Sequence, residues 1–246
     1  MRLAAAVLAL CAAGPAAAQT IVDAAFDEPT DRYDHGILGD ALEWGALRVR
    51  VRAATGGGIG SHTLRLPQDA VFEDTAPRLW DVTGDGAPEV VAVQTSLALG
   101  ARLLVMGLAD GQLTALAATP YIGQTHRWLA PAGAADLDGD GRIEIAYVDR
   151  PHLDRVLRIL RMVPGDAGGW SLEEVAAVPG LTNHRIGDRT ISGGLRDCGT
   201  GPSIVTASAD WSRIVATTFD GKSAATADLG PLDASEAMAR ALDCQR

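Results

Sequence analysis

The stretch that decides the fold is ADLDGDGRIEIA, residues 135–146. It sets Asp136, Asp138 and Asp140 at alternate positions, and an apolar segment that begins with Glu144 follows. Carboxylates this close repel each other unless a cation lies among them. Calcium takes six to eight oxygen ligands, and loops of the D-x-D-x-D-G kind supply them from alternate positions. The stretch therefore predicts a calcium-binding turn that leads into a β-strand.

The predicted ligands of this Asp136 loop occupy its odd positions, and Gly141 permits the sharp turn after the third aspartate. The ligand set consists of the side chains of Asp136, Asp138, Asp140 and Glu144 and the backbone carbonyl of Arg142. A second interpretation stays open. Gly-Asp-Gly sequences make good turns in which aspartate accepts hydrogen bonds from its own backbone, with no metal.

A second copy of the loop lies upstream. Residues 77–93 align with residues 131–147 at a constant offset and without a gap. The matching ligand set is Asp81, Thr83, Asp85, the backbone carbonyl of Ala87, and Glu89. Because Thr83 replaces the middle aspartate, this Asp81 loop carries one charge less, and we expect it to bind calcium more weakly.

Each loop is followed by a strand, a polar break, a second strand, a glycine turn and a third strand. With the strand that leads into the loop counted, one repeat holds about four strands. Two weaker copies contain Asp197 and Asp40, which we interpret as turn formers. Units of roughly fifty residues cannot bury their own apolar faces, and radial packing is the usual solution. The sequence therefore predicts an all-β, β-propeller-like array of about four or five four-stranded blades. A strand from Ile21 to Phe26 on the last blade would close the ring; otherwise the array is an open arc.

The N-terminus predicts export. Residues 1–18 combine one positive charge, a short apolar run and a small-residue site, the pattern of a signal peptide cleaved after Ala18. The repeat domain then spans residues 19–230. We expect a periplasmic or secreted protein.

The C-terminal residues 231–246 are predicted to form a helical tail. A short helix is expected from Ala234 to Leu242, with Asp233 as N-cap and Glu236 completing a capping box. Cys198 and Cys244 both belong to the exported part, and in an oxidising compartment two such cysteines pair more often than they stay free. We expect their disulfide to attach the tail to the last repeat.

The charge of the chain excludes one class of partner. Asp and Glu number 31 against 21 Lys and Arg, which gives a formal net charge of −10. A phosphate backbone would be repelled, so no nucleic-acid partner is expected. After the signal peptide, no segment of the sequence is apolar enough to cross a membrane.

The loops at residues 81–89 and 136–144 resemble those of the FG-GAP, or VCBS, repeats, which occur in integrin α-subunit propellers and in secreted bacterial proteins. With the two weaker copies counted, the resemblance extends over roughly residues 30–230. It implies a bladed β-architecture with Ca²⁺ in a loop between strands of a blade. Integrin-type rings have seven repeats, whereas four are visible here. The resemblance implies nothing about catalysis.

Two function hypotheses follow. The first is an exported, calcium-binding, non-catalytic binding or scaffold module whose partner is a protein or a glycan. The second is an enzyme acting on a carbohydrate or phosphoester at the central opening, where the pairs His126–Arg127 and His184–Arg185 would converge on an anion. Repeat-encoded turn residues are the simpler interpretation of these pairs. The single histidines His35 and His152 are predicted to lie on the surface.

Overall fold

The computed structural model describes residues 19–54, 57–165 and 169–245. The predicted signal peptide and its cleavage after Ala18 lie outside these residues, and the domain boundaries stay predictions. Within the described part, no helix is long and apolar enough to cross a membrane. Nearly all the regular structure is β-strand.

The described residues form seventeen strands and one short helix. In chain order the elements are β1 (Thr20–Thr30), β2 (Glu43–Arg52), β3 (Ile59–Arg65), β4 (Ala70–Phe72), β5 (Arg78–Trp80), β6 (Glu89–Ser96), β7 (Gly100–Ala109), β8 (Gln112–Ala118), β9 (Leu129–Ala135), β10 (Glu144–Asp149), β11 (Val156–Pro164), β12 (Trp170–Pro179), β13 (Leu181–Thr182), β14 (Gly194–Asp197), β15 (Pro202–Ser208), β16 (Arg213–Phe219), β17 (Ala224–Pro231) and α1 (Ala237–Leu242).

Three groups of four strands repeat along the chain, and in each group every strand pairs antiparallel with the next. These groups are β5–β8, β9–β12 and β14–β17. A three-stranded group, β1–β3, precedes them, and the short β4 bridges β2 and β6 into one larger sheet. The predicted all-β repeat architecture is confirmed. The number of blades and the closure of a ring stay predictions.

The strands are stabilised because their apolar residues lie where neighbouring groups of strands pack together. The second strand of each four-stranded group is the most buried, since it has a neighbour on both edges and a covered surface on both faces. Val91 and Val93 on β6 and Ile145 on β10 belong to one core cluster around the buried Trp128. A second cluster joins β10 and β11 to Ile204 and Phe219 of the last group. The loops between strands are thereby fixed at the edges of a packed core.

Two predictions about the chain ends are wrong in detail. Residues 21–26 belong to β1, which pairs with β2 and not with the last group, because Phe26 stacks on Phe72 and Trp44 of the first sheet. The helix begins at Ala237 and not at Ala234, because the preceding residues form a separate turn closed by the Ala237 N–H on the Ala234 carbonyl. Glu236 stands at the N-cap without a side-chain hydrogen bond, so the predicted capping box is not formed.

The disulfide between Cys198 and Cys244 is confirmed, with a Cα–Cα distance of 5.7 Å. Cys198 follows β14, and Cys244 follows the helix. The helix buries Ala237 and Ala241 against the last group, and Arg196 donates to the carbonyl of Ala241. The tail is thus attached to the last repeat by both a covalent bond and packing.

Candidate functional site

The Asp81 loop connects β5 to β6 and is organised by two carboxylates. Asp81 accepts hydrogen bonds from the backbone N–H groups of Gly84, Asp85 and Gly86. Glu89 is buried at the start of β6 and accepts from the N–H groups of Val82 and Thr83 and from the Thr83 hydroxyl. Burial raises the pKa of Glu89, and these hydrogen bonds oppose the shift. Such backbone hydrogen bonds are what the metal-free turn interpretation predicts.

The Asp136 loop has the same backbone arrangement between β9 and β10. Asp136 accepts from the N–H groups of Gly139, Asp140 and Gly141, and Glu144 accepts from that of Leu137. One carboxylate oxygen each from Asp136, Asp138 and Glu144 lies within 4.8 Å of the other two. The two loops also lie close together, since a Cβ on Gly84 would be 3.8 Å from the carbonyl oxygen of Gly141.

A cation of the chain itself lies in the Asp136 loop. Arg161 on β11 donates from Nη2 to Oδ2 of Asp138 at 2.6 Å and from Nε to Oε1 of Glu144 at 2.5 Å. Its Nη1 lies 3.3 Å from Oδ2 of Asp140. Arg142 also binds Asp140, and these hydrogen bonds lower the pKa of Asp140 to about 2. The sequence analysis identified these carboxylates and missed Arg161.

The donor sets of the two loops fit calcium to different degrees. In the Asp136 loop, every carboxylate oxygen already accepts a hydrogen bond from the backbone, Arg142 or Arg161. Calcium does not fit there while Arg161 keeps this position. In the Asp81 loop, no arginine contacts the carboxylates within the described residues, and Oδ2 of Asp85 accepts no hydrogen bond from them. Carboxylate and hydroxyl oxygens without a basic partner are suitable for a hard cation.

The two His–Arg pairs of the sequence analysis do not form one site. His126 and Arg127 border a pocket beside Trp128, whereas His184 is buried against the edge of that tryptophan and does not line the pocket. Arg185 points elsewhere, with its guanidinium 4.2 Å from the centre of the Trp211 ring. The two arginines therefore lie in different surroundings.

Three of the five histidines, His35, His126 and His152, line this pocket, and the buried His184 lies behind His152. The ring centres of His35 and His126 are 5.1 Å apart, and those of His152 and His184 are 5.2 Å apart. His35 and His152, which were predicted to lie on the surface, are half-buried: 14% of the His35 side chain is exposed, and His152 stacks on Trp128. Residues more than a hundred positions apart meet here.

Each of these four histidine rings has a specific hydrogen-bond partner. His35 binds the fully buried Glu73 through Nδ1, and His126 binds the exposed Asp34 through Nε2. His152 binds His184, whose other nitrogen donates to the carbonyl of Asp188. Burial lowers the pKa of His152 to about 4 and also lowers that of His184, so both rings are neutral at pH 7.

The pocket itself has a volume of about 220 Å³ and mixed walls. Ile37, Trp128, Leu153 and Ile186 form its apolar surface, and His35, His126, Arg127, Arg150 and His152 supply polar groups. Arg150 is paired with Asp149 and Asp154. Arg127 donates to the carbonyl of His126 and forms no ion pair within the described residues. The pocket can therefore offer one cation without an ion pair, imidazole rings and an apolar wall to a small ligand.

Comparison with known families agrees with the repeat pattern. Residues 81–147, which include both loops and the strands between them, match a family model described as an FG-GAP-like repeat. No curated protein matches the chain.

Proposed function

Residues 81–147 of this chain are an FG-GAP-like repeat, and from that premise we propose that the chain is an exported, non-catalytic binding module. FG-GAP-like repeats suggest a repeat-containing binding or scaffold protein. The proposal names the pocket beside Trp128 as the ligand site and the Asp81 loop as a calcium site.

The gathering of three histidines around one pocket supports the ligand site. A volume of about 220 Å³ suits a small molecule better than a peptide or an oligosaccharide. The apolar wall favours an apolar body, and Arg127 favours an anionic group, because a guanidinium binds a carboxylate through two parallel hydrogen bonds. The ligand class is therefore a small organic anion with an apolar body.

The placement of the arginines supports a non-catalytic role. The alternative enzyme hypothesis needs both His–Arg pairs around one reacting group. His126 and Arg127 border the pocket, whereas Arg185 stacks on Trp211 and lines a separate cavity with Asp188 and Asp233. The enzyme hypothesis thereby loses two of its four named residues, His184 and Arg185, and no observation of the pocket favours it in return.

Calcium would be held in the Asp81 loop by Asp81, Asp85 and Glu89, with Thr83 and the Ala87 carbonyl as neutral ligands. The ion would supply positive charge to three carboxylates that have no basic partner among the residues that the structure describes. Asp81 and Glu89 already order the loop through the backbone N–H groups that they accept. The loop would therefore need little rearrangement to bind the ion.

Export of the chain is supported by the Cys198–Cys244 disulfide, since such bonds persist in oxidising compartments. The same disulfide is compatible with a periplasmic or a secreted protein.

The ligand site is tested by calorimetry with three probes: benzoate, glucuronate and uncharged benzyl alcohol. Benzoate should bind best, because it combines an apolar ring with a carboxylate. Arg127→Met should weaken benzoate binding about tenfold, the effect of one charge-assisted hydrogen bond. Arg185→Met is the matched control and should leave the affinity unchanged. Equal benzoate affinity in the two variants would remove Arg127 and this pocket from the proposal.

A further inference from the structure

We infer that the guanidinium of Arg161 takes the place of the metal ion in the Asp136 loop. It binds three of the four carboxylates of that loop: Asp138, Asp140 and Glu144. The side chains of Arg161, Asp138 and Glu144 are all less than a tenth exposed. The loop that has the fullest calcium pattern in the sequence is thus held by a cation of the chain itself.

The register of the two repeats explains why only one loop has this cation. On β10 and β11, Glu144 pairs with Arg161. On β6 and β7, Val90 pairs with Met106, which sets Glu89 across from Gly107. A Cβ on Gly107 would lie 3.4 Å from Cγ of Glu89, so the two residues are direct neighbours. The position that carries a guanidinium in one repeat therefore carries no side chain in the other.

The presence of Arg161 in one repeat and Gly107 in the other also makes the two loops differ in open space and in charge. Thr83, Asp85 and Glu89 of the Asp81 loop line an open cavity, together with residues of β7 and β8. In the Asp136 loop, Arg161 fills the corresponding position. Four carboxylates there are offset by the two guanidinium groups of Arg142 and Arg161. The three carboxylates of the Asp81 loop have no such offset within the described residues.

Arg161 also reaches the next repeat. Its guanidinium lies 5.9 Å from the centre of the Phe219 ring on β16. The turn after β16 packs on the same loop, because a Cβ on Gly221 would be 2.8 Å from Oδ2 of Asp138. The cation therefore lies where two groups of strands meet, and it can stabilise that contact at any calcium concentration.

The inference separates the calcium responses of the two loops and does not depend on the ligand pocket. The Asp81 loop should respond to calcium, and the Asp136 loop should respond only when Arg161 is removed. Asp85→Ala removes a proposed ligand of the Asp81 loop, whereas asparagine would keep a carbonyl oxygen that calcium accepts. A calcium response left in Asp85→Ala therefore comes from elsewhere.

The experiment measures thermal unfolding of the chain from residue 19 on, with the disulfide intact, in chelator and in millimolar calcium. In the Asp85→Ala background, calcium should leave the melting temperature unchanged. When Arg161→Met is added to this background, the melting temperature in chelator should fall, because buried carboxylates lose their cation. Calcium should then raise the melting temperature of this double variant by at least about 3 °C.

Arg158→Met, on the same strand, is the matched control. Arg158 pairs with Asp149 and Glu174, outside the loop. In the background that lacks the Asp85 carboxylate, Arg158→Met should lower the melting temperature, and calcium should not raise it again. Recovery in calcium equal to that of Arg161→Met would overturn the inference, and so would a calcium response in Asp85→Ala with Arg161 present.

If Arg161→Met does not fold, Arg161→Lys replaces it. A lysine keeps one charge but cannot bind three carboxylates with a planar group. Calcium should stabilise this variant more than it stabilises the Asp85→Ala parent, and equal responses would overturn the inference. A wild type that ignores calcium while the Arg161 variants respond would refute only the calcium site proposed at the Asp81 loop.

Discussion

Nε2 of His152 lies 3.0 Å from Nδ1 of His184. Because Nε2 of His184 donates to the carbonyl of Asp188, its Nδ1 is the acceptor, and His152 donates the proton between the rings. Protonation of either ring would break this arrangement or place a charge beside the buried Trp128. The stability of the fold in acid should therefore depend on this histidine pair.

Acid should destabilise the fold through this pair. The pKa of His152 falls to about 4 on folding because of burial, so below pH 6.5 the unfolded state binds the proton more strongly. The free energy of unfolding should decrease from pH 6.5 towards 4, by at most about 1.4 kcal/mol per pH unit for one histidine. Urea unfolding at pH 7.5 and 5 should show a smaller loss in His152→Gln. His62→Gln, on β3 outside the pocket, should behave as wild type; equal losses in all three proteins would contradict the assignment.

Glu43 should have the opposite pH dependence. Burial, with Glu73 and Asp40 nearby, raises its pKa to about 9. Its stability contribution is complete below about pH 4.5 and is lost as the pH rises towards 9. Glu43→Gln should therefore raise the free energy of unfolding at pH 8, on the order of 2 kcal/mol, and change little at pH 4. Glu173→Gln, an exposed glutamate, is the control; a gain for Glu43→Gln that is equal at both pH values would show that Glu43 is not titrating.

The parts of the fold that could be predicted from the sequence are those encoded locally. The two loops repeat the same residues at a constant offset, and glycine turns separate short apolar runs, so the strands on either side of Asp81 and Asp136 are where the pattern predicts them. The cysteine pair was predictable because only two cysteines remain after Cys11. The predicted helix cap does not form because the residues before Ala237 make a separate turn. Residue propensity does not decide between such a turn and the first turn of the helix.

The parts that could not be predicted depend on strand register and on long-range packing. Glu144 meets Arg161 only because β10 and β11 pair in one register. One signal was present, since Arg161 interrupts an apolar strand, and a buried arginine needs an acidic partner. His35 and His152 carried no comparable signal: they follow different strands, and packing of separate groups brings them together.

The disulfide should stabilise the tail more than the rest of the fold. It joins residues 46 positions apart, for which the loop-entropy model gives about 4 kcal/mol. Replacing Cys198 and Cys244 together by serine should lower the free energy of unfolding by up to that amount. Hydrogen exchange should accelerate in Ala237–Leu242 and in β14, and much less in β6. Uniform acceleration throughout the chain would show that the tail is not a separate unit of stability.

The segment that holds His126 and Arg127 depends on the absence of a side chain at Gly100. Gly100 has φ +75°, and a Cβ there would lie 2.2 Å from the carbonyl oxygen of Gln124 and 2.9 Å from that of Arg127. Gly123 also has a positive φ, +94°, but a Cβ there would meet nothing within 4 Å. Gly123→Ala should cost about 1 kcal/mol for its backbone conformation alone. Gly100→Ala should cost about 2 to 5 kcal/mol and should also weaken benzoate binding, because the backbone beside the pocket must move.

Denaturant unfolding and calorimetry on both glycine variants check this prediction. Gly123→Ala controls for the left-handed conformation, so the difference between the variants measures the close approach at Gly100. If both lose the same stability, the segment has room to shift. If Gly100→Ala loses stability but binds benzoate normally, Arg127 reaches the ligand independently of this backbone contact, and the pocket is built more loosely than the hydrogen bond from the Ala101 N–H to the Arg127 carbonyl indicates.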